Sequence, residues 1–182
     1  MMRSSGLGHV SPEDRSPGPS PGANTKSRSV ELRAEGIDSP IVAALFAALS
    51  NEIRSRYPNE DGNFFRLDAA EVVEGKGALV VAYSESKPIG CGAVRCIDEH
   101  TAEIKRLYVQ PAARGYSVGY AILRGLESKA RRLGAVRVVL ETGKRQQAAL
   151  DLYQRCGYER IPAFGEYVGS ELSVCMPKAI GG

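Results

Sequence analysis

The sequence is poor in the residues that hold metal ions and disulfide networks, with four cysteines and two histidines among 182 residues. The cysteines stand at positions 91, 96, 156 and 175, and no two of them form a C-x-x-C pair. This spacing argues against a structural zinc site and against a dense disulfide framework. No histidine stands in a motif that would activate a thiol. We therefore predict structural cysteines and no metal site, in a protein of a reducing compartment such as the cytoplasm.

Long apolar runs and a strong charge bias are also missing. No stretch approaches the ~18 apolar residues of a membrane span, and no apolar segment of ~7–15 residues follows Met1 as in a secretory signal. The 24 basic and 21 acidic residues leave a net charge of +3, too small an excess to indicate a nucleic-acid partner. These absences favour an ordinary globular protein that binds neither membranes nor nucleic acids.

The first 29 residues differ in composition from the rest of the chain. They contain seven Ser, four Pro and four Gly, but only two large aliphatic residues, Leu7 and Val10. Such a segment cannot bury enough apolar surface to offset the entropy that ordering removes. We therefore predict a disordered tail over residues 1–29 and one folded domain over residues 30–182.

The folded part alternates between strand and helix patterns. Short runs rich in β-branched residues predict strands at Val30–Ala34, Ala78–Tyr83, Ile89–Ile97, Ala102–Val109 and Val136–Leu140, and two closing strands at Ile161 and Leu172–Met176. Helical spacing of apolar residues predicts one helix that begins at Pro40 and two more at Val118–Leu133 and Gln146–Cys156. This order is typical of a mixed α/β domain.

The strand-to-helix junction after Val109 has the clearest chemical signal. It reads Arg114-Gly115-Tyr116-Ser117-Val118-Gly119. The first turn of a helix leaves N–H groups unpaired, and with the positive end of the helix dipole they form a phosphate site, to which Arg114 adds charge. Ser117 fits an N-cap whose hydroxyl accepts one of these N–H groups. From composition alone the segment could equally be an ordinary glycine-containing loop. It matches neither the P-loop nor the dinucleotide motif G-x-G-x-x-G.

Three segments in this order resemble the GNAT superfamily of acyl-CoA N-acetyltransferases. The pyrophosphate loop of that family reads Arg/Gln-x-x-Gly-x-Gly/Ala, and 114–119 matches it except that Ser117 replaces the first glycine. Residues 102–111 are similar to the family's fourth strand leading into the loop, and residues 150–158 to its late helix, A-x-x-L-Y-x-x-x-G-F/Y. The resemblance covers roughly residues 30–178.

The resemblance implies a fold and a cosubstrate. The fold is a single mixed α/β (α+β) domain with a central, mostly antiparallel sheet whose fourth and fifth strands splay apart between flanking helices. Acetyl-CoA is expected in that gap, without a metal ion. The residues expected to bind it lie on the fourth strand, in the loop and at the start of the last helix: Leu107, Tyr108, Val109, Arg114, Gly115, Tyr116, Ser117, Val118, Gly119, Tyr120 and Gln146.

The resemblance also implies two catalytic residues. Tyr153 matches the family's usual general acid, which protonates the departing thiolate, although its spacing also fits a tyrosine of the core. Glu103 stands where histone-acetylating members place a general base. The alternative for Glu103 is a solvated strand residue that pairs with Lys105 or with a neighbouring strand. At the end of the fifth strand, Glu141-Thr142-Gly143 would line the gap.

The leading function is transfer of an acetyl group from acetyl-CoA to a primary amine of a small polar metabolite by direct attack. Candidate walls of the acceptor site are Arg54, Arg56, Tyr57, Asn63 and the segment Phe164–Tyr167. Two arginines would favour an acceptor with a carboxylate, whereas Glu166 would attract a polyamine or aminoglycoside. Either set could also be a solvated loop. A protein-lysine or N-terminal acetyltransferase and a non-catalytic acyl-CoA-binding regulatory domain remain as alternatives. Homodimers are common in the family, which makes a homodimer a candidate assembly.

Overall fold

The structure, a computed structural model, describes residues 29–58 and 67–181. The predicted tail, apart from Ser29, and residues 59–66 after the first helix lie outside the described residues. The sheet contains β1 (Glu31–Ala34), β2 (Gly77–Ser84), β3 (Lys87–Cys96), β4 (Thr101–Val109), β5 (Arg137–Gly143) and β6 (Ser173–Ala179). The helices are α1 (Pro40–Arg56), α2 (Val118–Arg132) and α3 (Gln147–Arg155).

The six strands form one sheet in the order of the sequence. Neighbouring strands are antiparallel except β4 and β5, which are parallel. A parallel pair needs a long crossover connection, and α2 provides it. The structure therefore confirms the predicted mixed α/β domain with a mostly antiparallel sheet. No helix in the described part of the chain is both long and apolar enough to cross a membrane.

Two hydrophobic cores lie on opposite faces of the sheet. Side chains alternate along a strand, so in β2 Val80 and Ala82 join the core under α2 and α3, whereas Val81 and Tyr83 join the core under α1. Of the five residues that the sequence spacing predicts for the inner face of α1, Phe46 is half-buried against the core and four are buried: Val42, Leu45, Leu49 and Ile53. The helices thus cover both faces of the sheet.

The C-terminal part of the sheet confirms one of the two predicted closing strands. The strand predicted at Leu172–Met176 corresponds to β6, whereas the strand predicted at Ile161 is wrong. Only β6 forms a strand there among the described residues, and Ile161 makes an isolated bridge to Cys175. Pro162 follows Ile161 and has no N–H group to continue a ladder. Strand β6 itself runs through Pro177, which is tolerated because β6 is the edge strand of the sheet.

Candidate active site

A gap opens in the sheet between β4 and β5. Their parallel ladder pairs Thr101–Ile104 with Arg137–Leu140 and then stops, although both strands continue. The local cause is a bulge in β4, where the register against β3 shifts between Cys91 and Ala93 and Arg106 has a left-handed φ of 59°. An extra residue bends a strand and increases its twist, so β4 turns away from β5. The predicted splay of these strands is therefore confirmed.

Two adjoining cavities lie at this gap. The larger has a volume of about 580 Å³ and is bordered by the end of β4, the start of α2 and the residues of α3. The smaller has a volume of about 60 Å³ and lies between β4 and β5. Both cavities are lined by the same side chains at their junction: Leu49, Leu107, Gln146 and Ala149. A ligand that fills the larger cavity would therefore reach the smaller one.

The larger cavity collects nearly all of the residues predicted to bind acetyl-CoA. Its lining includes Leu107, Tyr108, Val109, Arg114, Gly115, Ser117, Val118, Gly119, Tyr120 and Gln146. Tyr116 is the exception, because it packs half-buried against the core under α2. Gly119 lies where α2 meets α3: a Cβ atom there would be 3.2 Å from Cδ2 of Leu152. A larger residue at position 119 would thus intrude on the cavity.

Ser117 is the N-cap of α2, but the predicted side-chain cap is wrong. The residue has φ 60° and ψ 15°, and its hydroxyl makes no capping hydrogen bond. A capping side chain normally requires an extended backbone at the N-cap, so the left-handed conformation removes that bond. The serine hydroxyl therefore does not occupy the N–H groups of the first turn. This conformation is the one that glycine adopts most easily, which explains why a glycine fits the same position of the motif.

Arg114 brings a positive charge to the mouth of the larger cavity. Its Nη2 lies 2.5 Å from a carboxylate oxygen of Glu52, and its Nε donates to the carbonyl oxygen of Val109 at 3.0 Å. The other oxygen of Glu52 lies 2.6 Å from Nη2 of Arg56. The guanidinium of Arg114 is thus held at the cavity that the first turn of α2 also lines, and a helix N-terminus favours an anion.

Tyr153 lies in the smaller cavity, on the side of α3 that faces the gap. The residue is 5% exposed, and its ring centroid is 5.8 Å from that of Tyr158. Burial raises the pKa of Tyr153 well above its usual value, and the negative charge of Glu141 raises it further. The phenol therefore carries its proton at neutral pH, as a general acid must.

Glu103 lies in a buried ion network rather than in the lining of either cavity. The residue is 1% exposed. Nε of Arg95 donates to Oε2 at 2.8 Å, and the hydroxyl of Tyr167 donates to Oε1 at 2.7 Å. Glu166 extends the network, since Nζ of Lys105 lies 2.6 Å from its carboxylate. Pairing with a neighbouring strand therefore describes the surroundings of Glu103, but Glu103 itself is buried and not solvated.

Glu141 is the acidic residue that does line the smaller cavity. It follows Leu140, which makes the last pair of the parallel ladder, so it is the first residue of β5 at the splay. Burial raises the pKa of Glu141. A hydrogen bond with Ser173 and the charge of Lys105 act in the opposite direction but are smaller, so the pKa stays above its usual value. The sequence motifs place Glu141 beside the gap but indicate no chemical role for it. The signal in the sequence that could have identified it is an acidic residue directly after a predicted buried strand.

The smaller cavity has different walls from those expected for the acceptor. Tyr167 lines it, as predicted, but Arg54 and Arg56 do not. Arg54 donates to the side chain of Asn51 on the surface of α1, and Arg56 borders the larger cavity. The hydroxyl of Tyr57 accepts a hydrogen bond from the backbone N–H of Arg145, and Asn63 lies outside the described residues. The charged side chains that line the smaller cavity are Lys105, Arg106 and Glu141.

The cysteines match the prediction of structural thiols. Cys91 and Cys175 are buried, and Cys96 and Cys156 are half-buried. Burial raises the pKa of all four thiols, that of Cys91 to about 12, so little thiolate exists at neutral pH. Among the described residues, no three metal-ligating side chains lie close enough together to hold a metal ion.

Comparison with known proteins agrees with this geometry. The acetyltransferase (GNAT) family matches residues 43–158. An IAA acetyltransferase from Azospirillum brasilense is 32% identical over 147 residues, which cover 79% of this chain and 95% of that protein. A candidate acyl-CoA N-acyltransferase from Klebsiella pneumoniae has a solved structure with a TM-score of 0.73 and 31% identity, covering 83% of this chain and 97% of that one.

A third relative shows the fold at low identity. The PaiA N-acetyltransferase from Thermoplasma acidophilum, solved in complex with coenzyme A, is 16% identical, with a TM-score of 0.58 over 83% of this chain and 99% of that one. The family match spans the strand, the loop and the late helix that the sequence motifs single out. This chain therefore belongs to the GNAT family of acetyltransferases.

Proposed function

We propose that this protein transfers an acetyl group from acetyl-CoA to a primary amine of a small polar molecule, in the cytoplasm. The observation that carries the proposal is the pair of adjoining cavities at the splay of β4 and β5. The loop at 114–119 lines the larger cavity, and the buried Tyr153 lines the smaller one. A transferase that joins two substrates needs such a junction, because it gains rate by holding them in contact.

The larger cavity supports binding of acetyl-CoA. The N–H groups at the start of α2 and the guanidinium of Arg114 suit the diphosphate, which is an anion. The edge of β4 beyond Ile104 no longer pairs with β5, so its backbone suits the amides of an extended pantetheine chain. Gln146 borders both cavities and would contact the cosubstrate where its thioester enters the smaller cavity.

The smaller cavity supports a small acceptor. Its volume of about 60 Å³ suits an amino group and a few neighbouring atoms. The similar protein from Azospirillum brasilense is also named for a small molecule. In the proposed reaction the amine attacks the thioester carbonyl directly, and Tyr153 gives its proton to the departing sulfur.

The proposal is tested first by calorimetric titration of acetyl-CoA into the wild-type protein and a Gly119→Glu variant. Glutamate would fill the cavity and place a negative charge against the diphosphate, so binding should be lost. Gly119→Gln is the matched control, because it has the same bulk without the charge and should retain more affinity. A thermal unfolding curve of each variant shows that it is folded.

The second step is a panel of small amines assayed by release of the CoA thiol. Turnover with one class of amine supports the transferase. Tight binding without turnover on any amine would instead favour a protein-lysine or N-terminal acetyltransferase or a non-catalytic acyl-CoA-binding domain. If the wild-type protein does not bind acetyl-CoA, all three functions are excluded.

A further inference from the structure

We propose that Glu141 is the general base of this reaction, which takes a proton from the acceptor ammonium in the smaller cavity. The inference rests on the function proposed above. An amine is protonated near neutral pH and cannot attack a carbonyl until it loses a proton. A base must therefore lie within reach of the acceptor nitrogen, on the same cavity as the acid.

The placement of Glu141 meets this requirement. Its side chain lines the same cavity of about 60 Å³ as Tyr153 and Tyr167. Strand β5 delivers it there because the ladder with β4 ends one residue earlier, at Leu140. The residue is half-buried, and its carboxylate interacts with the hydroxyl of Ser173.

The groups around Glu141 come from four elements. Strand β4 contributes Lys105 and Glu103, α3 contributes Tyr153, the short turn Gly165–Tyr167 contributes Glu166 and Tyr167, and β6 contributes Ser173 and Cys175. Burial is the largest effect on its pKa and raises it, and the two neighbouring carboxylates act in the same direction. A base works best when its pKa approaches the working pH, so these surroundings suit proton transfer.

Glu103 is less suited to the same role. Both of its carboxylate oxygens accept hydrogen bonds, from Arg95 and from Tyr167, and 1% of the residue is exposed. An acceptor ammonium would have to displace one of these buried donors. Glu103 instead holds Tyr167 in the wall of the cavity, which is a positioning role.

The proton transfers balance over one turnover. Glu141 takes the first proton of the ammonium, and the nitrogen then forms a bond to the carbonyl carbon. When the carbon–sulfur bond breaks, the sulfur receives the proton of Tyr153. The second proton of the nitrogen restores Tyr153, and Glu141 releases its proton to water. The products are one amide, one thiol and one proton.

The test compares Glu141→Gln with the wild type in kcat/KM over a series of pH values, using an amine that the panel identifies. We expect a loss of roughly 10²- to 10⁴-fold at neutral pH, the usual contribution of a general base. The loss should shrink at alkaline pH, where the free amine forms without help. Calorimetry with acetyl-CoA should give an unchanged Kd, which shows that the variant is folded.

Two further variants make the result specific. Glu99→Gln, in the exposed turn between β3 and β4, is the control and should match the wild type. Glu103→Gln should keep the pH dependence of the wild type. In the wild type, kcat/KM should fall toward low pH as the base becomes protonated. If Glu103→Gln abolishes this fall and Glu141→Gln retains it, the base is Glu103 and the inference is wrong. A loss in Glu141→Gln that is equal at every pH would also overturn it, since that result indicates positioning. A wild-type protein that acetylates no amine would refute the proposed function itself, and the inference with it.

Discussion

Replacing Glu52 by glutamine is expected to tighten the binding of acetyl-CoA. Glu52 borders the larger cavity and holds the guanidinium of Arg114 at 2.5 Å. Its carboxylate therefore competes with the diphosphate for the same cation and also repels the anionic ligand. Glutamine has nearly the same shape without the charge, so the change isolates the electrostatic effect.

The size of the effect follows from the exposure of the pair. The side chain of Arg114 is 41% exposed and that of Glu52 is 23% exposed, so water screens much of their attraction. Ion pairs of this kind contribute about 0.2–1 kcal/mol, which corresponds to about a 1.4- to 5-fold lower Kd for acetyl-CoA. Glu52 also pairs with Arg56, so Glu52 keeps one cationic partner when Arg114 turns to the ligand.

The assay is calorimetric titration at low and high salt. Glu99→Gln is the control for the loss of one negative charge far from the cavity. The gain in affinity should shrink in concentrated salt, where the screening length falls to about 3 Å. The gain should also shrink in an Arg114→Gln background, because Glu52 and the diphosphate then no longer compete for the guanidinium of Arg114.

Two results would refute this reasoning. An equal gain from Glu52→Gln with and without Arg114 would show that the ion pair does not compete with the ligand. Weaker binding by Glu52→Gln would show the opposite role, in which the carboxylate orients Arg114 toward the diphosphate.

Three further predictions concern the acid, the loop and the core. Tyr153→Phe should lower kcat by roughly 100-fold or more without changing the Kd for acetyl-CoA, and unchanged turnover would exclude Tyr153 as the acid. Ser117→Gly should raise the free energy of unfolding by up to about 1 kcal/mol, because glycine relieves the left-handed backbone, although it also loses more entropy on folding. A lower free energy of unfolding in Ser117→Ala would contradict this account, since it would reveal a hydroxyl cap. Glu127 is fully buried and binds Lys178 at 2.8 Å and the hydroxyl of Tyr158 at 3.1 Å. Glu127→Gln should cost about 3 kcal/mol and lower Tm by about 6–12 °C, and a Tm equal to that of Glu99→Gln would contradict this.

The helices could be predicted from the sequence because their signals are local. Helix α1 begins at Pro40, as predicted. The apolar residues of α2 recur at helical spacing, and α2 starts at its predicted residue and ends one residue before its predicted end. The closing strand was predicted less well. Whether Ile161 or Pro177 belongs to a ladder depends on the neighbouring strand and on the edge of the sheet, which no short window of sequence contains.

Much of the lining of the larger cavity was also predictable, since one run of six residues provides the loop and its charge. The lining of the smaller cavity was not. The hydroxyl of Tyr167 reaches Glu103 across 64 positions of the chain, and Lys105 reaches Glu166 across 61. Such contacts place Glu103 in an ion network, whereas Glu141 is the acidic residue that lines the smaller cavity. Residue types alone do not distinguish these two carboxylates.

The gap itself follows from a backbone feature that composition does not reveal. Arg106 has a left-handed conformation that costs a residue other than glycine of order 1–3 kcal/mol. A regular β4 would avoid this cost and would continue its ladder with β5 past Ile104, which would close the space between Tyr153 and Glu141. The bulge instead ends the ladder and opens the smaller cavity beside the larger one. The site is thus formed by an interruption of the sheet, and its chemistry depends on the residues that the interruption leaves facing each other.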